Sequence, residues 1–139
     1  MVLSDKATKI VSEINSEESN LGHVKKVAKE IKKDQDLAME LWSTGDYYPR
    51  LLAILILDKK LLTQKLIDQL ASDMLGHDQN QRSQLADWLL ANQLMKDRKA
   101  VSLIQTWEKN SSPILRRLFW YHQARLRWTG KSPPPNSPA

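Results

Sequence analysis

The sequence predicts an all-α chain, and three observations carry that expectation. Leu, Ala, Lys, Gln and Ile dominate; apolar residues recur at spacings of three and four; and no segment alternates in the manner of a half-buried strand. The apolar-periodic segments are short, about 10–16 residues each, and only a few turn residues separate them. Short connections of that kind favour antiparallel neighbours, so the helices are expected to pack in pairs.

Each helix has a readable start. Ser4 caps a first helix from about Asp5 to Ser16. A second runs from Leu21 to Lys33, with Val24, Val27, Ala28 and Ile31 on one stripe. Asp34 opens a short helix through Ala38, Leu41 and Trp42, which Thr44-Gly45 ends. Asp46 opens the next, where Leu51 to Leu57 form an almost unbroken apolar run, the mark of a helix buried on most sides. After a turn at Asp58-Lys59-Lys60, Thr63 caps a helix through Ile67, Leu70 and Met74, closed at Gly76. A sixth helix is expected from Asn80 to Met95 and a seventh from Arg98 to Lys109. The eighth starts at Ser111-Ser112-Pro113, a serine cap with proline in the first turn, and runs to Trp128, where Gly130 stops it. The last residues, KSPPPNSPA, read as a disordered proline-rich tail. The pattern fits either a compact bundle or a stack of HEAT-type repeats.

Composition narrows the chemistry. The 139 residues are enough for one domain and hardly for two. An apolar share of 41% beside 27% charged residues excludes wholesale disorder. No apolar run approaches the roughly 20 residues of a membrane span, and no signal peptide is recognisable, so the expected location is cytoplasmic. Zero cysteines remove disulfides, thiolate metal sites and a cysteine nucleophile. With four glycines there is no GxGxxG or GxxxxGK[ST] phosphate cradle, and His23, His77 and His122 form no HxxxH or HExxH pair. Neither a metal nor a small-molecule cofactor is expected.

Charge is unevenly distributed. From Arg98 to Lys131 there are eight Lys or Arg residues and one acid, Glu108, against thirteen bases and fifteen acids in the rest of the chain. A basic C-terminal quarter is the footprint of a polyanionic partner, nucleic acid first and an anionic membrane second, or a solvated basic face. The eighth helix carries much of this charge. At about 100° per residue, Leu115, Leu118, Phe119, His122 and Leu126 gather as a core stripe. The opposite arc holds Arg116, Trp120, Gln123 and Arg127, with Arg117, Tyr121, Ala124 and Trp128 beside it. Arginine interleaved with aromatic rings suits a phosphate-and-sugar contact surface, because guanidinium forks grip phosphate oxygens while rings pack on sugars or bases. The same residues would also serve as packing and solvated charge. On the sixth helix Asp87 shares its side with Leu90, Ala91 and Leu94, and a carboxylate so placed needs a partner or a raised pKa. Arg117 and Arg50 are the candidate partners for a structural salt bridge.

Four phrases carry a further signal: LGHVKKVAKEI, AMELWSTGDYYPRLLAILI, ADWLLANQL and IQTWEKNSSPILRRLFWYHQAR. Their order, over roughly Asn20 to Trp128, resembles the DNA alkylation repair family, glycosylases that remove 3- and 7-alkylated purines. The resemblance implies a short HEAT-like-repeat superhelix of about eight helices over residues 1–129, with the tail at 130–139 outside it. It implies that Asp87 is the catalytic carboxylate and that Arg117, after Trp107 and a polar loop, clamps a DNA phosphate. Arg116, Trp120, Arg125 and Arg127 join the expected DNA-binding set, and the partner is double-stranded DNA held by its backbone. The family also carries a tryptophan four residues before the aspartate, where this chain has Ser83, and a second in a later repeat. The matching reactions would be excision of an alkylated purine or DNA binding without excision; a scaffold for an acidic protein is the alternative.

Overall fold

The computed structural model describes residues 3–15 and 21–128, with side chains through residue 126. Eight α-helices are described, with no strand among these residues: α1 (Asp5–Ile14), α2 (Leu21–Ile31), α3 (Gln35–Ser43), α4 (Tyr47–Ile56), α5 (Gln64–Met74), α6 (Gln79–Asn92), α7 (Arg98–Ile104) and α8 (Pro113–Trp128). Short 3-10 turns lie at Lys59–Leu61 and Leu94–Lys96. The chain is all-α, as its periodicity predicts. Ser16 and the tail at 130–139 lie outside the described residues.

The capping signals operate largely as written. The side chains of Ser4, Asp34, Thr63, Asp78 and Asp97 each accept the backbone N–H three residues ahead. Ser112 Oγ does the same for Leu115 at 3.4 Å. Asp46 is the exception. It precedes α4 but makes no capping bond, and its carboxylate instead accepts from Asn15 Nδ2 at 3.3 Å, tying α1 to the start of α4.

Three helices end earlier than periodicity indicates. α2 stops at Ile31 rather than Lys33 because Lys32 adopts a left-handed backbone, φ 65°, which no helix continues through. α7 ends at Ile104 rather than Lys109, since Trp107 turns into the core and donates its indole N–H to Gln64 Oε1 at 2.9 Å. α6 begins at Gln79 and ends at Asn92 rather than Met95, and the residue responsible is Gln93.

Packing centres on α4, which touches α1, α2, α3 and α6. Leu51, Leu52, Ala53, Ile54 and Ile56 have no solvent exposure, and α3 lies against α4 after a turn at Thr44–Asp46, where Gly45 takes φ 77°. Each fully buried Leu or Ile contributes about 1.5–3 kcal/mol of hydrophobic stabilisation. A buried helix leaves its last carbonyls needing donors. The Gln93 side chain, itself buried, supplies them, with Nε2 2.7 Å from Ile54 O and 3.3 Å from Leu57 O, while the Asp34 N–H reaches Ile56 O at 2.9 Å. Leaving the helix at Gln93 lets the chain aim that amide at α4. Buried apolar residues from all eight helices join in one cluster. None of the described helices is long and apolar enough to cross a membrane.

Replacing Gln93 by Ala should therefore destabilise the fold by about 1–3 kcal/mol, the cost of leaving buried carbonyls without a donor. Chemical denaturation should show this, against a change within about 0.5 kcal/mol for the exposed Gln69→Ala. A second expectation concerns His122, buried on α8. Burial lowers its pKa from the usual 6.5, and Arg125 lowers it further. The fold thus favours neutral imidazole, and the unfolded chain takes up the proton first. Stability from this residue is complete above pH 6.5 and is lost as pH falls through the folded value. Unfolding free energies measured below pH 6.5 should fall less steeply in His122→Asn than in the parent chain.

Candidate nucleic-acid interface

α6 and α8 lie side by side, and their facing edges bring the carboxylate and the arginine together. Asp87 follows Ser83 by one helical turn and precedes Leu90 by three residues, so all three lie on one edge of α6. Arg117 and Tyr121, four residues apart, face that edge from α8. Asp87 Oδ2 is 3.5 Å from Arg117 Nη2, and the two side chains are 40% and 33% exposed respectively. The pair is half-buried and open to solvent, not enclosed in the core.

Tyr121 completes the arrangement. The Arg117 guanidinium lies over its ring, 4.3 Å from the centroid, and Nη2 donates to the phenol oxygen at 2.7 Å. Arg117 is therefore held from two sides, by a ring face and a carboxylate. Two groups keep unused capacity: Asp87 Oδ1 and Arg117 Nε are both buried, and neither has a hydrogen-bond partner among the described residues. Beyond the pair a cleft of about 220 Å³ opens between Asp87, Leu90, Tyr121, Ala124 and Arg125. Lined by a carboxylate, an aromatic ring, aliphatic side chains and one arginine, the cleft can hold a positive or electron-poor group against Asp87 and an anionic one against Arg125.

The other expected contact residues divide between two sides of α8. Arg125 lines the Asp87 cleft, whereas Arg117 lines an adjoining one. Arg116 and Trp120 are on the outward side; Trp120 is 46% exposed, its ring edge-on to Phe119, and Arg116 Nη1 donates to Asn110 O at 3.0 Å, bracing the loop before α8. The Arg127 and Trp128 side chains lie outside the described residues. Leu115, Leu118, Phe119 and His122 form the core stripe as expected. Gln123, placed by periodicity on the outward arc, is buried, because neighbouring helices cover more of α8 than one stripe.

Asp87 takes Arg117, not Arg50, as its partner. Arg50 belongs to a separate cluster, stacked 4.7 Å from the Trp42 ring centroid and donating to Trp42 O and Asp73 O, with its Nη1 3.0 Å from His77 Nε2. Burial lowers its pKa while Asp73 and Asp46 oppose the change. No tryptophan of the described side chains lines the Asp87 cleft. Trp88 is buried away from it under Lys25, whose Nζ is 5.5 Å from the ring, and the aromatic residue at the carboxylate is Tyr121. Helical periodicity sets Tyr121 only beside the contact arc. Its spacing of four from Arg117 on one helix was the available signal. Arg82 and Ser83, which line an adjoining cleft with Arg117, had no comparable signal.

The family model of the DNA alkylation repair enzymes matches residues 19–130. The chain belongs to that family. Membership assigns this DNA alkylation repair family protein to DNA repair in general terms and agrees with the helical fold. No curated protein and no solved structure matches the chain. Among the described residues, no three His, Asp or Glu side chains are grouped closely enough to hold a metal ion.

An ion pair this exposed adds little stability. A double-mutant cycle on Asp87→Asn and Arg117→Gln should give a coupling of about 1 kcal/mol or less, and melting should change only slightly in Asp87→Asn. A loss of about 3–5 kcal/mol on breaking the pair would be the behaviour of an enclosed one.

Proposed function

We propose that this protein binds double-stranded DNA by its backbone and hydrolyses the N-glycosidic bond of 3- or 7-alkylated purines. The single observation that carries the reading is the position of Asp87: a carboxylate, 40% exposed, that lines a surface cleft 3.5 Å from the arginine that would hold a phosphate. The helix pairs are read as HEAT-like repeats that present this edge to the duplex.

The chemistry asks little of the protein. An alkylated purine is cationic, so when the C1′–N bond breaks both electrons pass to the base, which leaves neutral. Positive charge then develops on the sugar as an oxocarbenium-like species, and Asp87 stabilises it. Water adds to C1′ and its proton passes to solvent. Arg117 and Arg125 grip phosphates on either side, with Arg116, Trp120 and Arg127 extending the contact along α8. Tyr121 holds the Arg117 guanidinium in place for this task. No metal or nucleophile is required.

A second reading has its own observation: Ser83 stands where the family has tryptophan, and Tyr121 is the aromatic residue at the cleft. That favours a protein that binds DNA without excising the base.

The experiment is base release from duplexes carrying 7-methylguanine or 3-methyladenine. Wild-type protein should release base, and Asp87→Asn should lose more than about 100-fold while melting and binding the duplex like the parent, because only the charge is removed. Wild-type protein that binds duplex steeply with salt but releases nothing favours the second reading. Salt-insensitive or absent duplex binding overturns both and leaves a scaffold for an acidic protein.

A further inference from the structure

A second cleft, of about 210 Å³, lies on the other side of Arg117. Its lining includes Gln79, Arg82 and Ser83 from α6 and Ile114 and Arg117 from α8, with Leu75 at the end of α5. Among the described residues, no acidic side chain lines it. Arg82 is half-buried and, among the described residues, makes no side-chain hydrogen bond or ion pair. Among the described residues, Arg117 has one carboxylate partner, Asp87, which lines the neighbouring cleft, and its buried Nε has no acceptor. The nearby Asp78 is already engaged, accepting from the Gln81 N–H at 2.8 Å.

Two guanidiniums thus border one small concavity that no acidic side chain of the described residues lines. Each has given up part of its hydration, and their mutual repulsion is offset by Asp87 on one side only. The hydroxyl of Ser83 and the amide of Gln79 add neutral donors. The volume lies below the roughly 300–1,000 Å³ of pockets that enclose a whole small ligand, so it suits a single group. Planar guanidinium forks match tetrahedral oxyanions.

We propose that this cleft is a phosphate-binding subsite in which Arg82 and Arg117 grip the same phosphate group, with Ser83 and Gln79 as neutral donors. The small side chain of Ser83 keeps the cleft open. An anion seated here competes with Asp87 for Arg117, so filling the subsite loosens the ion pair and leaves the carboxylate available to the neighbouring cleft. The source expected is a DNA backbone phosphate, and that part of the proposal rests on the DNA-binding reading above; the subsite itself does not.

Two titrations on the full chain test it. In the first, inorganic phosphate is added at constant ionic strength against chloride, and amide and guanidino NMR signals are followed. Signals of Arg82, Ser83 and Arg117 should shift together in the parent chain and not in Arg82→Ala. Because Arg82 has no side-chain partner among the described residues, that variant should melt like the parent. In the second, duplex affinity is measured against salt for Arg82→Ala, Arg117→Ala and the double variant. Each single change should weaken binding on the order of 10- to 100-fold and reduce the salt slope by about one. The double variant should lose about one unit of slope, not two, since one phosphate is shared. Additive slopes overturn the shared phosphate. Phosphate binding through Arg82 without any duplex binding supports the subsite with a free phosphate group as its occupant, and overturns the DNA reading alone. Duplex binding that Arg82→Ala leaves unchanged, with no response to phosphate, overturns the subsite and leaves the DNA reading standing.

Discussion

Burying α4 imposes the constraint on which the remaining architecture depends. A helix with five side chains wholly removed from water brings stabilisation of the order of several kcal/mol, but its terminal carbonyls are buried with it. Gln93 and the backbone of Asp34 resolve that conflict from opposite sides. The solution has a structural consequence beyond α4. It obliges the chain to leave helical geometry at residue 93, so α6 ends against α4 with Leu85, Trp88 and Leu89 inward. Asp87 is then left at the edge that meets α8. The position of the candidate carboxylate follows from the phase of α6 once these residues are buried.

Between α6 and α8 the electrostatics are arranged around a shortage of anions. Among the described residues Asp87 is the single carboxylate paired with Arg117, at a distance of 3.5 Å and with both groups about a third or more exposed. Such a pair is held in place as much by the Tyr121 ring and phenol as by charge. A weak, solvent-facing pair can exchange one partner for a phosphate at small cost, whereas an enclosed one could not. The Arg50 cluster shows the contrast. There the guanidinium is engaged by two backbone carbonyls, an imidazole and an indole face, and it serves to join α3, α4 and α5. Two arginines of the same chain thus take different roles according to how many of their donors the fold consumes.

Much of this was legible in the sequence, for physical reasons that are local. Helix starts were readable because capping is a contact over three residues, as at Ser4, Asp34 and Thr63. The buried α4 and the core stripe of α8 were readable because periodicity records burial, and Asp87 stood out as a charge among apolar neighbours. The family phrases pointed the same way, and the family match over residues 19–130 bears out that resemblance. What the tertiary structure alone decided involves residues far apart in the chain. Gln93 is 39 positions from Ile54, and its reach to that carbonyl is what ends α6. Trp107 is 43 positions from Gln64, and their bond accompanies the early end of α7. The choice of Arg117 over Arg50 as the partner of Asp87, the burial of Gln123, the place of Tyr121 at the carboxylate and the cleft shared by Arg82 and Arg117 depend on which helix edges meet. Periodicity states which face of a helix is covered; it carries no information about which neighbour covers it.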